Sequence, residues 1–324
     1  MSDLCTWRVA LFHRFLPGAI LVLTGLRGFA QTGETEPKIP GAQFYCIRGQ
    51  FEIDGYRPDG DSLRFRPNDP DIMTALSSAY VRKKDGNYQL RLLGIDAPEM
   101  NCEGLRQPLA GEARDRLLEF LGFKEVRVDD SGVIRSTGGA VRGAICALDV
   151  DHQDRPLCIA FSAVPDAWAD GEPTLIEPES FTKSANFTLV EEGLAYPLFY
   201  DYLQPDIRES ITEAAADARG RGTGVWGLDR TASFEFATRS DLVEQLVHPA
   251  VFRRAVRYAK PDTTPTPAGF AAWMGKHCDL VIESIDGKPT RFADLVSCDG
   301  TQVKLRGEVW NLVFLDESES GDQR

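Results

Sequence analysis

Histidine is scarce in this chain of 324 residues: His13, His152, His248 and His277 are the full complement, far apart and without HExxH or CxxC spacing around them. Zinc hydrolases and zinc-finger modules hold their metal through such clusters, so both classes are excluded. An excess of positive charge is also missing. Thirty-six Lys and Arg stand against 49 Asp and Glu, a net charge of −13, whereas proteins that hold nucleic acid by bulk electrostatics carry a basic surface. That count leaves room for a local basic pocket. No run of about 18 apolar residues is present to cross a bilayer. What is present is an ordinary globular composition, 43% hydrophobic and 26% charged. Such a chain can bury a core, and its length suits about two domains at roughly 150 residues each.

Residues 1–30 read as an export signal. Arg8, His13 and Arg14 precede an apolar run from Phe15 to Leu26, and the small residues Gly28 and Ala30 suit cleavage before Gln31. Pro17 and Gly18 disfavour the alternative of a buried N-terminal helix. Arg27, close to the cut, leaves an uncleaved anchor open. The expectation is a periplasmic or secreted protein with no stable membrane insertion after cleavage. Cleavage also removes Cys5, leaving Cys46, Cys102, Cys146, Cys158, Cys278 and Cys298, an even number that suits an oxidising compartment. Cys278 and Cys298 are the expected disulfide, since they bracket a strand-turn stretch with little other core. Buried free thiols are the alternative.

Residues 31–42 have no apolar periodicity and read as a linker. From there strands dominate: Phe51–Ile53 and Ser62–Phe65 flank the turn Pro58-Asp59-Gly60-Asp61, and a second hairpin is expected between 79–81 and 88–95 around Asp85-Gly86. Leu109, Ala113, Leu117, Phe120 and Leu121 recur at helical spacing up to Gly122. Strands follow at 125–128 and 141–150. The segment 149–183 carries eight acidic residues against Arg155 and Lys183 and reads as an acidic insertion. Helices are expected over 184–195, capped by Ser184, and over 205–219, with Ile207, Ile211, Ala214 and Ala218 on one face. The order gives an α+β class with a small barrel. Residues 231–267 read as a helix and linker, in which Pro249 breaks one helix or opens another. Residues 268–324 read as a small strand-rich appendage for docking or stability, and truncation after about residue 235 is expected to leave the chemistry measurable.

The chemistry-bearing stretch is Gln89-Leu-Arg-Leu-Leu-Gly-Ile-Asp-Ala-Pro-Glu99. Arg91 shares a strand face with Leu93 and Ile95, and Asp96 and Glu99 emerge where Pro98 ends the strand. A guanidinium pairs with phosphate oxygens in a planar fork, while carboxylates hold a hard cation or deprotonate water. A solvated strand edge would have the same local composition.

The wording of the motifs goes further. Arg91-Leu-Leu-Gly-Ile-Asp96-Ala-Pro-Glu99, with Gln107-Pro-Leu-Ala-Gly-Glu-Ala113 after it, resembles the thermonuclease family of calcium-dependent nucleases. Asp59-Gly60-Asp61-Ser62 resembles its upstream turn, Val141-Arg142-Gly143 its second-arginine strand, Leu189-Val190 with Gly193-Leu194-Ala195 its LVxxGLA helix, and Gly224-Val225-Trp226 its closing signature. The matches keep the family's order over about residues 44–230. The resemblance implies a five-stranded OB-type barrel with three helices spanning 43–230, and hydrolysis of DNA or RNA. It also implies calcium held by Asp61, Asp96 and the Ala97 carbonyl, Glu99 as general base, and Arg91 and Arg142 gripping the phosphate. Tyr196, Tyr200 and Tyr202 fall where the family stacks bases. Residues 43–230 contain 21 basic and 32 acidic residues, an unusual balance for a nuclease. A non-catalytic OB-type binding module for nucleic acid or protein is therefore the alternative.

Overall fold

The computed structural model describes residues 43–76, 85–129, 133–136, 138–261, 264–276, 280–283 and 289–315. The leader, the linker at 31–42, the strand expected at 79–81 and Cys278 lie outside the described residues.

The central strand is β1 (Phe44–Glu52), which buries Phe44 and Cys46 on one face and Ile47 and Phe51 on the other. On one side it pairs antiparallel with β2 (Arg64–Pro67), Phe51 opposite Phe65, and β2 carries β3 (Tyr88–Gln89). After the single residue Leu90 the chain enters β4 (Arg91–Leu92) and then, past a glycine turn, β5 (Ile95–Asp96). Gly94 makes that turn at φ 77°, in the left-handed region that glycine reaches most cheaply. The helix α1 (Ala110–Leu121) buries Ala113, Leu117, Leu118 and Leu121 and stops at Gly122, as its spacing predicts. A small hairpin, β6 (Val126–Val128) with β7 (Ile134–Ser136), leads to β8 (Val141–Val150). That strand lies on the other side of β1 with Cys46 opposite Cys146. It bonds antiparallel to β9 (Pro156–Phe161), and β9 takes β4 in parallel register, Arg91 opposite Leu157.

The strand order is therefore β3-β2-β1-β8-β9-β4. Its two ends belong to one segment broken only at Leu90, so the sheet nearly closes on itself as a barrel. β10 (Pro173–Thr174) adds a seventh strand on the edge of β1. The α+β class stands. Among the described residues the sheet has seven strands where five are expected: the segment expected as one strand supplies β3 and β4, the acidic stretch supplies β9 and β10, and the strand expected at 125–128 pairs apart, as β6 with β7. That stretch, 149–183, is thus no mere insertion. All six residues of β9 are buried, and a strand covered on both faces shows a continuous apolar run instead of alternation.

Helices α2 (Pro178–Phe181) and α3 (Ala185–Glu191) follow, the latter capped as predicted by the Ser184 hydroxyl accepting from the Phe187 N–H at 3.1 Å. Asn186 is fully buried and satisfied: its amide donates to the carbonyls of Leu93 (2.9 Å) and Cys158 (3.2 Å) and accepts from the Ala160 N–H (3.0 Å). One side chain thereby fixes the turn after β4 to β9. Next come β11 (Tyr196–Pro197), paired with β5, β12 (Phe199–Tyr200), and α4 (Pro205–Gly220), which buries Ile207, Ile211, Ala214 and Ala218. The short α5 (Val225–Leu228) starts where the backbones of Gly193 and Gly224 meet, the Val225 N–H donating to the Gly193 carbonyl at 2.8 Å. A Cβ on Gly224 would lie 2.0 Å from that oxygen, which accounts for both glycines of the matched motifs.

Beyond Arg230 lie β13 (Ser233–Glu235), α6 (Asp241–Glu244), α7 (Pro249–Tyr258), α8 (Pro267–Met274), β14 (Leu280–Glu283), β15 (Pro289–Arg291), β16 (Val296–Asp299), β17 (Gln302–Leu305) and β18 (Leu312–Phe314). Among the described residues eight α-helices are seen, five of them (α1–α5) within 43–230, where three are expected. This region is continuous with the barrel. β18 pairs in parallel with β12, Phe199 opposite Val313, and Leu198 packs in the C-terminal cluster with Phe252 and Phe314.

Cys46, Cys102, Cys146, Cys158 and Cys298 are free thiols. Cys46, Cys146 and Cys158 are fully buried while Cys298 is exposed. Burial pushes the Cys158 thiol well up, and Cys146 is raised chiefly by its hydrogen bond with Cys46, with burial adding to the rise. Cys102 is pushed up to about 11, chiefly by burial. Since the thiolate is the reactive form, among these five an alkylating reagent should modify Cys298 first in native protein and reach the buried three only on unfolding. Peptide mapping of briefly labelled protein checks this; early labelling of Cys158 would contradict it.

Candidate active site

The turn at 58–61 is shaped by its own side chain, the Asp59 carboxylate accepting from the Gly60 N–H at 2.8 Å. Gly60 is demanded by proximity: a Cβ there would lie 2.6 Å from the Ala97 Cβ and 2.9 Å from the Ala113 Cβ. The turn is so seated on the loop after β5. Asp59 accepts from the Met100 N–H at 3.3 Å, and Asp61 Oδ2 from the Ala97 N–H at 3.4 Å. The Leu92 N–H donates to the Asp61 carbonyl at 3.0 Å. Four carboxylates, those of Asp59, Asp61, Asp96 and Glu99, are gathered this way with Arg91.

Their protonation follows from burial and mutual repulsion. Burial pushes Asp61 up to about 7, with Asp96 and Glu99 adding to the rise. Burial likewise pushes Asp59 up to about 8, with Asp61 and Glu99 contributing. Glu99 is raised because burial outweighs the pull of an arginine beside it. Asp96 moves the opposite way: burial opposes its ionisation, but the same arginine holds it below the usual carboxylate value. Arg91 stays firmly charged, since Tyr200, Asp96 and Asp61 more than offset its burial.

That second arginine is Arg253, from α7. Its Nη1 donates to Asp96 Oδ1 at 2.8 Å and to Glu99 Oε1 at 2.6 Å, while Nη2 donates to Asp96 Oδ2 at 3.0 Å. Asp96 is 1% exposed and the Arg253 side chain 23%. The helix start is fixed from several directions. His248 Nδ1 accepts from the Ala250 N–H at 3.2 Å, and its Nε2 lies 3.0 Å from the Pro197 carbonyl. Those two partners assign the neutral ring with its proton on Nε2, and burial lowers its pKa in the same sense. Gln107 holds both parts at once: its Oε1 accepts from the Glu99 N–H at 3.1 Å and its Nε2 donates to the Val247 carbonyl at 2.7 Å.

Of the residues singled out in the sequence, Arg91, Glu99, Asp61, Asp96 and Ala97 come together. Arg142 does not join them. It is exposed on β8 opposite Gln50, lining an open cleft of about 530 Å³ with Arg48, Asn68 and Asp166. None of the four carboxylates lines that cleft. Tyr196 is not a stacking surface either. It is 1% exposed, its ring against Trp226 and His248 and its hydroxyl donating to Asp229 Oδ1 at 3.0 Å. Asp229 also accepts from the Thr231 N–H at 3.1 Å, and the Thr231 hydroxyl from the His248 N–H at 2.7 Å. Tyr196 thus anchors the approach to α7. Tyr200 and Tyr202 are half-buried and stack on each other at 5.3 Å with rings 3° apart, Tyr200 neighbouring Arg91.

The calcium implied by the resemblance needs oxygens of Asp61, Asp96 and Ala97 converging on one point. Both Asp96 oxygens instead accept the fork of Arg253, and no three His, Cys, Asp or Glu side chains converge as ligands among the described residues. As arranged, the donor set fits a guanidinium and not an added dication. Compared with known proteins, the chain matches no family model and no curated protein.

Proposed function

We propose that the chain hydrolyses phosphodiester bonds of DNA or RNA, as a thermonuclease-like enzyme built on an OB-type barrel. The observation that carries this reading is the convergence of Arg91 and Glu99 with Asp61 and Asp96 at the point where the barrel segment leaves its sheet. Hydrolysis of a phosphodiester is mainly positioning and electrostatic stabilisation. In this reading Arg91 binds the phosphate and Glu99, whose pKa is raised toward neutrality, takes a proton from water. Tyr200 and Tyr202 offer the neighbouring aromatic surface for a base or sugar. The second reading is an OB-type binding module, favoured by the ion pair that already occupies Glu99 Oε1.

A digestion assay on plasmid DNA and on RNA, in calcium and in chelator, separates the two. Cleavage in either buffer supports hydrolysis; none in both overturns it. In the active case Arg91→Lys should lower kcat/KM by roughly 10-fold or more despite its charge, because an ammonium lacks the planar fork that a phosphate accepts. An unchanged rate would remove Arg91 from the reaction.

A further inference from the structure

We propose that Arg253 is the resident cation of this site: its guanidinium takes, between Asp96 and Glu99, the electrostatic place of a divalent ion, so that the native chain does not load calcium there. The inference rests on the hydrolytic reading for its purpose, but its geometry and its test are independent of activity.

Three observations carry it. First, Arg253 contacts both Asp96 oxygens and Glu99 Oε1, which are the oxygens an ion between these two carboxylates would claim. Second, its delivery is built into the fold. Pro249 at the first helical position, the His248 cap and the Gln107 bridge fix where α7 begins. The buried Val251, Phe252, Ala255 and Val256 then fix its rotation. The adjacent Arg254 faces away, its guanidinium over the rings of Phe292 and Phe314 and one N–H on the Ala250 carbonyl at 2.7 Å. Neighbouring arginines are thus sorted, one into the C-terminal core and one into the acidic cluster. Third, the charges require it. Without Arg253, Arg91 would be left facing Asp96 and Glu99, a buried excess of negative charge that protons or another cation would have to relieve. A fixed guanidinium is charged at every physiological pH and needs no deprotonated ligand set to be assembled first.

The test is calorimetric titration of the full-length protein with calcium chloride, with circular dichroism to verify folding. The wild type is expected to show no saturable binding up to about 10 mM. Arg253→Gln should gain one equivalent with a Kd on the order of 10⁻⁴–10⁻³ M, the range of weak carboxylate sites. Adding Asp96→Asn to that variant should abolish the gain. One equivalent bound by the wild type as tightly as by Arg253→Gln would overturn the proposal, as would a folded Arg253→Gln that binds none. A second measurement needs no variant at this position. Calcium at 10 mM should leave the wild-type Tm within about 1 °C, since a ligand that does not bind the native state does not stabilise it. A rise of several degrees that Asp96→Asn removes would overturn the proposal too. Failure of the hydrolytic reading looks different: no cleavage of DNA or RNA in any buffer, with these titrations still as expected.

Discussion

A chain ending at residue 235 is expected neither to fold to the native barrel nor to cleave nucleic acid. The sequence alone points the other way, because every recognised motif ends by Trp226 and the remainder carries no constellation of its own. The structure shows why the cut fails. It removes β18 from the exposed side of β12, takes the C-terminal cluster away from Leu198, and deletes both Val247 and His248, which hold Gln107 and Pro197. Fully burying one large apolar side chain is worth about 1.5–3 kcal/mol, so uncovering Leu198 with its half-buried neighbours Tyr200, Cys102 and Leu105 costs on the order of 5 kcal/mol. Loss of Arg253 adds a penalty near the lower end of the roughly 3–5 kcal/mol for removing one partner of a buried pair, because its side chain is 23% exposed. Against a total stability of about 5–15 kcal/mol, the sum is enough to unfold the fragment or leave it molten. Circular dichroism melting and gel filtration of residues 43–235 decide the matter. A monomer with a cooperative transition close to that of the full chain, still active, would show the catalytic unit to be the shorter one.

The parts of this fold that were legible in the sequence are those whose cause is local. The helices α1, α3, α4 and α7 follow from apolar spacing with a stop at Gly122, a cap at Ser184 and prolines at 205 and 249. The gathering of Asp61, Asp96 and Glu99 was legible only through the resemblance, since no local rule links a turn at 61 to a loop at 97. β9 was missed because a strand buried on both faces loses alternation, and the acids flanking it drew the reading toward an irregular insertion. Arg142 and Tyr196 were placed in the site through the resemblance alone, and a match of short motifs does not fix which cluster a side chain meets. Arg253 lies 154 residues from its partner Glu99 and belongs to no motif. The available signal was faint, an arginine between Phe252 and Ala255 in a helix otherwise buried along that side. Gln107 stands in a matched motif, but its part in tying Glu99 to the start of α7 is visible only in three dimensions.

Glu99→Gln is expected to lower turnover by roughly 10²–10⁴-fold, the usual worth of a positioned general base, with little loss of fold. The amide keeps the length of the side chain, and its oxygen can still accept from Arg253 Nη1, so the 2.6 Å contact persists as a weaker, singly charged hydrogen bond. What it cannot do is take a proton from water. The sign of the pH dependence follows from the same group. Burial raises the Glu99 pKa despite Arg253, and a base acts only when ionised, so the wild-type rate should climb with pH through a value above glutamate's ordinary one. Glu99→Gln should flatten that limb as well as lower it. Arg253→Gln offers the complementary shift. Removing the neighbouring cation disfavours the carboxylate, so the limb should move to higher pH while the base itself is retained. A general base predicts both changes together. A purely structural Glu99 predicts no such loss of turnover: its replacement would alter melting and move the pH profile only through its charge on Asp59 and Asp61. Steady-state rates on one nucleic acid substrate from about pH 5 to 9, for the wild type and both variants, distinguish the two roles. A wild-type rate in Glu99→Gln would assign proton transfer to another group.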